Sequence, residues 1–374
     1  MSTFKVPLLR IQSVSPHPNA DRLDLALVAE SPVVVGKGQY KEGETVIYVP
    51  VGAVLPQTIL DDLTASGSKI SIPNGRIKAA KIRGIISQGL ILDPRRYDIC
   101  SAIGSDTVGE AIDVSQKLGI VKYEEKPRNF GTPGTKTKRV RPGNPNFRYY
   151  TDIENIKHFP TVLKQGEPVW VTEKLHGTSF RCGWFKKDHY SLWDRLKKFF
   201  GFEVGEWEFC YGSRKVDITA ASDYRGFYGE DIYGKIAKKY DLRNRLPKGY
   251  ALYGEICGPG IQKDYDYGLK EHELFVYDVM DTETLQWLPA THALKLIEHF
   301  HLRSVPVLGS GIHYDPFNTH IRYSDNLFST IDPKTVREGI VIKPLEERID
   351  NRVGRVILKV INPAYLLKDT TEYQ

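Results

Sequence analysis

Lys174 closes an apolar run, Val169 to Val171 with Thr172 and Glu173 after it, and is followed by His176, Gly177, Thr178 and then the apolar Phe180. That order reads as strand, short loop, strand, with the lysine at the strand end. A lysine so placed is either a salt-bridge partner or a nucleophile. With an unperturbed pKa near 10.4 it is about 99.9 % protonated at neutral pH and attacks poorly. It becomes a nucleophile only when neighbouring cations or desolvation lower its pKa. A lysine aimed at a nucleotide's α-phosphate therefore calls for further Lys and Arg residues, a carboxylate-bound metal and a pocket for the base.

The second half of the chain offers a candidate for each. Glu338 stands alone before the apolar Ile340-Val341-Ile342, a pattern that suits metal or metal-bound water. Lys343 and Lys359 end or sit within apolar strands. Burying their charge for packing alone is costly, so they are candidate phosphate partners and candidate cations that depress the Lys174 pKa. Arg214 lies two residues after Gly212, and Glu255 follows the strand Ala251 to Tyr253. Phe275 and Tyr277 alternate along a strand and share a face, which serves a core as well as a base-stacking platform. Each has a plain alternative: a surface arginine, a core aromatic, an ordinary Gly-Thr turn.

The spacing of these residues resembles the covalent nucleotidyltransferases. Glu173-Lys174-Leu175-His176-Gly177-Thr178 is similar to their motif I (K-x-H-G or K-x-D-G), and the His-Gly-Thr form looks most like phage-type and editing-type RNA ligases. Ser213-Arg214-Lys215 resembles motif Ia, Leu252 to Glu255 motif III, and Phe275 to Asp278 motif IIIa. Glu338 to Lys343 resembles motif IV and Leu358 to Asn362 motif V. A lone K-x-H-G is weak; six elements in order are strong.

The resemblance implies an ATP-dependent RNA ligase of the type with an N-terminal OB-fold domain, acting in RNA repair. It implies that Lys174, with Lys359 and Glu338, carries catalysis. The nucleotide is expected at Glu173, Lys174, Leu175, Arg214, Glu255, Phe275, Tyr277, Lys343 and Lys359, and Mg2+ or Mn2+ at Glu338. Within that set, Glu255 is expected on the ribose hydroxyls and Phe275 or Tyr277 on adenine. The partner is RNA with 3′-hydroxyl and 5′-phosphate ends, including a nicked duplex. Two positions depart from the pattern. Ile361 stands where many relatives have a second motif V lysine, and His176 replaces the aspartate of the other motif I form. The first supports an alternative, an RNA-binding OB protein with a degenerate, inactive nucleotidyltransferase domain. Transfer of a nucleotide to something other than an RNA end is a third reading.

Around the site, the expected architecture is α+β. It comprises an N-terminal OB-like β-barrel (1–123), a basic Pro/Gly-rich linker (124–147) and a nucleotidyltransferase domain (148–374). That last domain is of the ATP-grasp-like/DNA-ligase-type adenylylation class, with antiparallel sheets and flanking helices. In the first part, Leu23, Leu25 and Leu27 alternate as one strand face, Val33 to Val35 and Thr45 to Val49 read as strands, and Lys41 to Glu44 as a turn. The loop His17 to Leu23 resembles the opening of OB-fold tRNA-binding modules, but its Pro, Asn and Asp are turn formers anyway. On strand geometry, Arg76 with Lys78, and Lys81 with Arg83, share faces that suit a solvated edge or phosphate contact. Helices are expected over Asp231 to Tyr240, over Thr291 to Phe300, and, amphipathic, over Tyr190 to Phe200.

At 374 residues the chain is long enough for two cores, and a formal charge of +6 permits a polyanionic partner without demanding one. No apolar run reaches membrane-spanning length, and the first residues lack a signal-peptide core. Cys100, Cys182, Cys210 and Cys257 form no C-x-x-C pair, which fits a reduced, intracellular protein without a zinc site. The few residues after Lys359 leave no room for the OB domain that DNA ligases and capping enzymes carry after motif V. A monomer is the expected state.

Overall fold

The computed structural model describes residues 4–67, 71–99, 109–123, 143–188, 204–219, 228–316, 318–325, 327–367 and 372–373, with 196, 199, 200 and 202 singly. Most of the basic linker, most of the Tyr190–Phe200 segment and Cys100 lie outside the described residues. Two compact units result. One comprises Met1–Lys126, Glu154–Pro160 and Pro363–Gln374; the other comprises Pro127–Ile153 and Thr161–Asn362.

The first unit is mostly antiparallel β. The chain opens with β1 (Pro7–Arg10), β2 (Ser13–Pro16), β3 (Leu23–Val28), β4 (Ser31–Gly36) and β5 (Thr45–Val49), of which β2 to β4 form a meander and β5 pairs back with β1. β6 (Ala80–Ile82), β7 (Ile85–Ser87), β8 (Leu90–Leu92) and β9 (Gly109–Asp113) follow, with one helix, α1 (Gln57–Ala65), before β6. β9, β1, β5 and β8 form one sheet in that order, and β2, β3 and β4 another. β5 is buried on both faces. Val46 and Tyr48 join a core with Ala26, Val28 and Val33, whereas Ile47 and Val49 join one with Leu8, Leu92 and Ile59 of α1. Hence its unbroken apolar run instead of an alternation.

Leu23, Leu25 and Leu27 share a face of β3 as expected, the half-buried one; Asp24, Ala26 and Val28 point inward. The small Ala26 leaves room for the rings of Tyr40 and Tyr48 in that core. One expectation about faces is corrected. Lys81 and Arg83 do not share a strand face. Arg83 (φ 48°) and Gly84 (φ 87°) form the two-residue turn between β6 and β7, with positive φ at both positions as a tight hairpin requires. Arg76 lies 3.7 Å from the Tyr123 ring centroid. The 17–23 loop is a structural clamp. Buried His17 accepts the Asn19 N–H on Nδ1 (3.1 Å), so its Nε2 carries the proton and donates to Ile82 O (3.1 Å).

Among the described residues the second unit holds two large, mainly antiparallel sheets and one small hairpin, Ile349–Asp350 with Gly354–Arg355. The first is built from β10 (Pro168–Lys174), β15 (Val307–His313), β16 (Gly339–Pro344) and β17 (Leu358–Ile361), ordered β17, β16, β10, β15. The second contains β11 (Thr178–Lys186), β12 (Trp207–Ser213), β13 (Tyr250–Cys257) and β14 (Glu273–Asp281), ordered β12, β11, β13, β14. Two helices fall where periodicity places them, α2 (Ile232–Lys239) and α3 (Ala290–His299). Asp231 caps α2 by accepting the Gly234 N–H, and Ile232, Ile236 and Ile297 fill a core with Phe180, Leu252 and Val276. Lys174 is thus the last residue of a central strand in one sheet, and Thr178 the first of a central strand in the other. The three-residue change of sheet, Leu175 to Gly177, carries His176 and Gly177.

Candidate functional site

Strand register brings the sequence candidates together. Lys174 lies opposite Gly339 on β16, so Glu338, one residue earlier, reaches it diagonally. Lys174 Nζ sits 2.7 Å from Glu338 Oε1. The other oxygen, Oε2, is buried with no hydrogen-bond partner, and its nearest basic group is His176 Nδ1 at 3.7 Å. An orphaned buried carboxylate oxygen beside the lysine is what a divalent cation would complete. Among the described residues no cluster of three His, Cys, Asp or Glu accompanies it. The donor set fits a cation that shares Glu338 with water and substrate oxygens, not a protein cage.

Glycines set the approach. A Cβ on Gly177 would strike the Ile256 carbonyl and lie 2.8 Å from Glu255 Cγ, so only glycine lets the turn close onto β13 beside Glu255. A Cβ on Gly339 would strike the Val360 carbonyl, which keeps β16 tight against β17. Gly212 meets the Val216 carbonyl in the same way and folds Ser213-Arg214-Lys215 into a tight turn. At its tip Arg214 pairs with Asp152; both side chains are about half exposed.

The charges are coupled. Burial would lower the Lys174 pKa, but Glu338 and Glu255 raise it and win; Arg214 pulls the other way. Lys174 is therefore held as a cation in the free protein. Glu255 is raised to about 7, chiefly by burial and also by Glu338, against the lowering effects of Lys174, the Gly177 N–H and Arg214. The Lys174 pKa is thus raised in the free protein, not depressed as the sequence suggested. Lys343 is engaged elsewhere, buried and bonded to Asp278 (3.0 Å), with Glu347 at 3.6 Å. Lys359 lies opposite Val341, which lies opposite Thr172, so Lys359 shares a sheet face with Lys174, as does Ile361.

Other candidates are placed elsewhere. Glu173 alternates to the opposite side of β10 from Lys174, where its carboxylate accepts the Thr330 N–H (2.9 Å) and hydroxyl (2.7 Å). Leu175 is core, and Phe275, opposite Glu255 on β14, is buried. Tyr277 is only half buried; its hydroxyl lies 3.4 Å from Ser179 Oγ and its ring 4.7 Å from that of Tyr150. The Tyr277 hydroxyl's pKa is pushed far up, by burial first and by Glu255 second.

Sequence reasoning missed the residues that hold this turn. Gln262 donates to Gly177 O (2.9 Å), Tyr267 OH accepts the His176 N–H (2.7 Å), and the Tyr265 ring stands edge-on to His176 at 5.0 Å. Buried Asn362 donates from its backbone to Glu338 O and from its side chain to Arg337 O (3.0 Å each), which fixes the entry of Glu338. The one signal was composition: an aromatic pair following Gly258-Pro259-Gly260.

A lysine paired with a half-satisfied carboxylate, between two antiparallel sheets and within reach of a second carboxylate's charge, is a site that can take a divalent cation with an anionic substrate. Residues 167–361 match the RNA ligase family model and residues 6–94 an OB-fold domain model. The chain belongs to the RNA ligase family. Solved structures of Naegleria gruberi RNA ligase are similar over nearly the full length. A lysine-to-alanine mutant with ATP and Mn shares 21 % identity over 98 % of this chain and 99 % of that one, with a TM-score of 0.69. The form with pyrophosphate shares 22 % identity over 97 % and 98 %, with a TM-score of 0.71. No curated protein gives a significant sequence match. No described helix is long and apolar enough to cross a membrane.

Proposed function

We propose that the protein is an ATP-dependent RNA ligase that joins RNA 3′-hydroxyl and 5′-phosphate ends through a lysyl-AMP formed on Lys174. The observation that carries this is the 2.7 Å Lys174–Glu338 pair whose second carboxylate oxygen is buried and unpartnered. The Naegleria structures with ATP, AMP and pyrophosphate support the nucleotide assignment. Lys174 Nζ attacks the α-phosphate, the P–N bond forms and pyrophosphate leaves. AMP then passes to an RNA 5′-phosphate, and a 3′-hydroxyl displaces it. All are in-line displacements at phosphorus, so positioning and charge neutralisation dominate.

The residues divide these tasks. Glu338 Oε1 is placed to take the Lys174 proton, and whatever neutralises Glu338 weakens the influence that holds the lysine cationic. Mg2+ or Mn2+, held by Glu338 Oε2, would supply Lewis-acid polarisation of the phosphate. Arg214 and Lys359 are assigned to phosphates, Glu255 to the ribose, and Tyr277 to the base. The OB unit is assigned RNA binding, with repair of broken RNA as the cellular task.

The test is intact mass after incubation with ATP and Mg2+ or Mn2+, with peptide mapping. One acid-labile AMP on Lys174 is the expected result. Lys174→Ala should lose the adduct and the sealing of 5′-phosphate RNA, yet still seal pre-adenylylated RNA. The second reading, an RNA-binding protein with an inactive domain, is favoured by Ile361 on the Lys174 face. An unmodified wild type, after pyrophosphate stripping, would select it.

A further inference from the structure

Arg181 on β11 is almost fully buried, at 2 % exposure, and no ion pair among the described residues includes it. Its guanidinium instead donates to three backbone carbonyls. Nε bonds Ser213 O (2.9 Å), and Nη1 bonds Phe147 O and Arg148 O (2.9 Å to the latter). Phe147 and Tyr149 place their rings 3.8 and 4.8 Å from its Cζ. Burying an unpaired cation is costly unless its donors are satisfied, and here the fork spans carbonyls of two segments far apart in sequence. One segment, 147–152, precedes the Lys174 strand; the other is the Ser213–Lys215 turn. They meet again at the surface through Arg214 and Asp152. An exposed pair of that kind is weak by itself, so its geometry has to be set from below.

We propose that Arg181 is a positioning residue. It pins the 147–152 segment and the 213–215 turn into one unit, so that Arg214 is presented to the phosphates at Lys174. The proposal rests on the ligase reading for its ligand, but not for the pin itself. Arg214 already acts on Lys174, since it is the cation that lowers that lysine's pKa. A lysine at 181 would keep the charge and up to three donors, but it lacks the fixed planar fork that holds the two segments in one geometry.

The experiment compares Arg181→Lys, Arg214→Ala and the double variant. The readouts are single-turnover AMP transfer to Lys174, the KM for ATP, melting, and amide hydrogen exchange of 147–149 and 213–215 in the ligand-free protein. Arg181→Lys is expected to slow AMP transfer about 10- to 100-fold, the scale of a ~1 Å misplacement. Little further loss should follow when Arg214→Ala is added. Exchange should rise in both segments together. Additive losses, exchange rising in one segment alone, or wild-type rates would overturn the proposal. Arg181→Gln, which removes the charge but keeps an amide donor, repeats the cycle if the lysine variant does not fold. Failure of both to fold would assign Arg181 to domain folding and also overturn it. A wild type that takes up no AMP would sink the ligase reading, while the exchange data would still decide whether Arg181 joins the two segments.

Discussion

Two lysine–carboxylate pairs whose lysines stand on the β10–β16 sheet, Lys174–Glu338 and Lys343–Asp278, differ in one respect. Lys174–Glu338 leaves a carboxylate oxygen buried without a partner. Lys343–Asp278 is closed: Asp278 Oδ1 takes Lys343 (3.0 Å), and Oδ2 takes the Tyr150 hydroxyl (2.6 Å) and Arg355 (2.8 Å). Burial would raise the Asp278 pKa, yet Arg355 and Lys343 outweigh it and hold the carboxyl below its usual range. Arg355 in turn bonds Glu347 and faces the Trp287 ring at 4.4 Å. Both lysines lie on one face of the same sheet, because Trp170, opposite Lys343, and Lys174 alternate along β10. The open carboxylate oxygen is the one that the proposed metal would complete; the saturated pair has no such opening.

Substitutions should separate the two. Glu338→Gln keeps the shape and removes the charge, and AMP transfer to Lys174 is expected to fall by about 10²- to 10³-fold or more with a near-normal melt. An unaltered rate would remove Glu338 from the chemistry. Asp278→Asn should do the reverse. Lys343 and Arg355 would remain buried with less counter-charge, and stability should drop by about 3–5 kcal/mol in urea titrations near pH 7. Because the folded carboxyl is depressed, its stabilisation is present above the usual 3.8 and lost as pH falls through the folded value, so the variant's deficit should shrink in acid. A deficit independent of pH would mean that packing, not charge, explains it.

Glu255 offers a pH-dependent test between these extremes. Its carboxyl rises from 4.5 to about 7 on folding. Protonation therefore favours the folded state fully below 4.5, and the benefit is lost as pH climbs through 7. Glu255→Gln, which cannot ionise, should be more stable than wild type at pH 8.5, by up to ~3 kcal/mol, with the gain fading below pH 5. Melting curves at both pH values check this; equal shifts would contradict the assignment. The smallest expected effect belongs to the turn. Gly177→Ala should destabilise by about 1–3 kcal/mol through the clash with Ile256 and Glu255. It should also slow AMP transfer, and a normal rate would show that the turn tolerates displacement.

Much of this was legible before any coordinates. Lys174, His176, Gly177, Arg214, Glu255 and Glu338 are close in space, and local spacing had singled them out. The α2 and α3 helices follow from apolar periodicity, since a helix buries one stripe wherever it packs. Lys343 was misplaced for a physical reason: a lysine ending an apolar strand reads alike whether a phosphate or a buried aspartate awaits it. Gln262, Tyr267 and Arg181 left no pattern, because each acts on a backbone group far away in sequence; Asn362 stood in the motif V stretch, but its hold on Glu338 O and Arg337 O did not show there. Leu23, Leu25 and Leu27 show what alternation can tell: that residues share a face, not which face is inside.

The sequence by itself determined which residues are candidates for chemistry and in what order they stand, because residue type and local spacing belong to the chain; the kind of chemistry came from its resemblance to the RNA ligases. The tertiary structure alone decided which charges meet. Strand register sets Lys174 against Glu338 and Lys343 against Asp278, and register is a property of pairing between strands, not of any one strand.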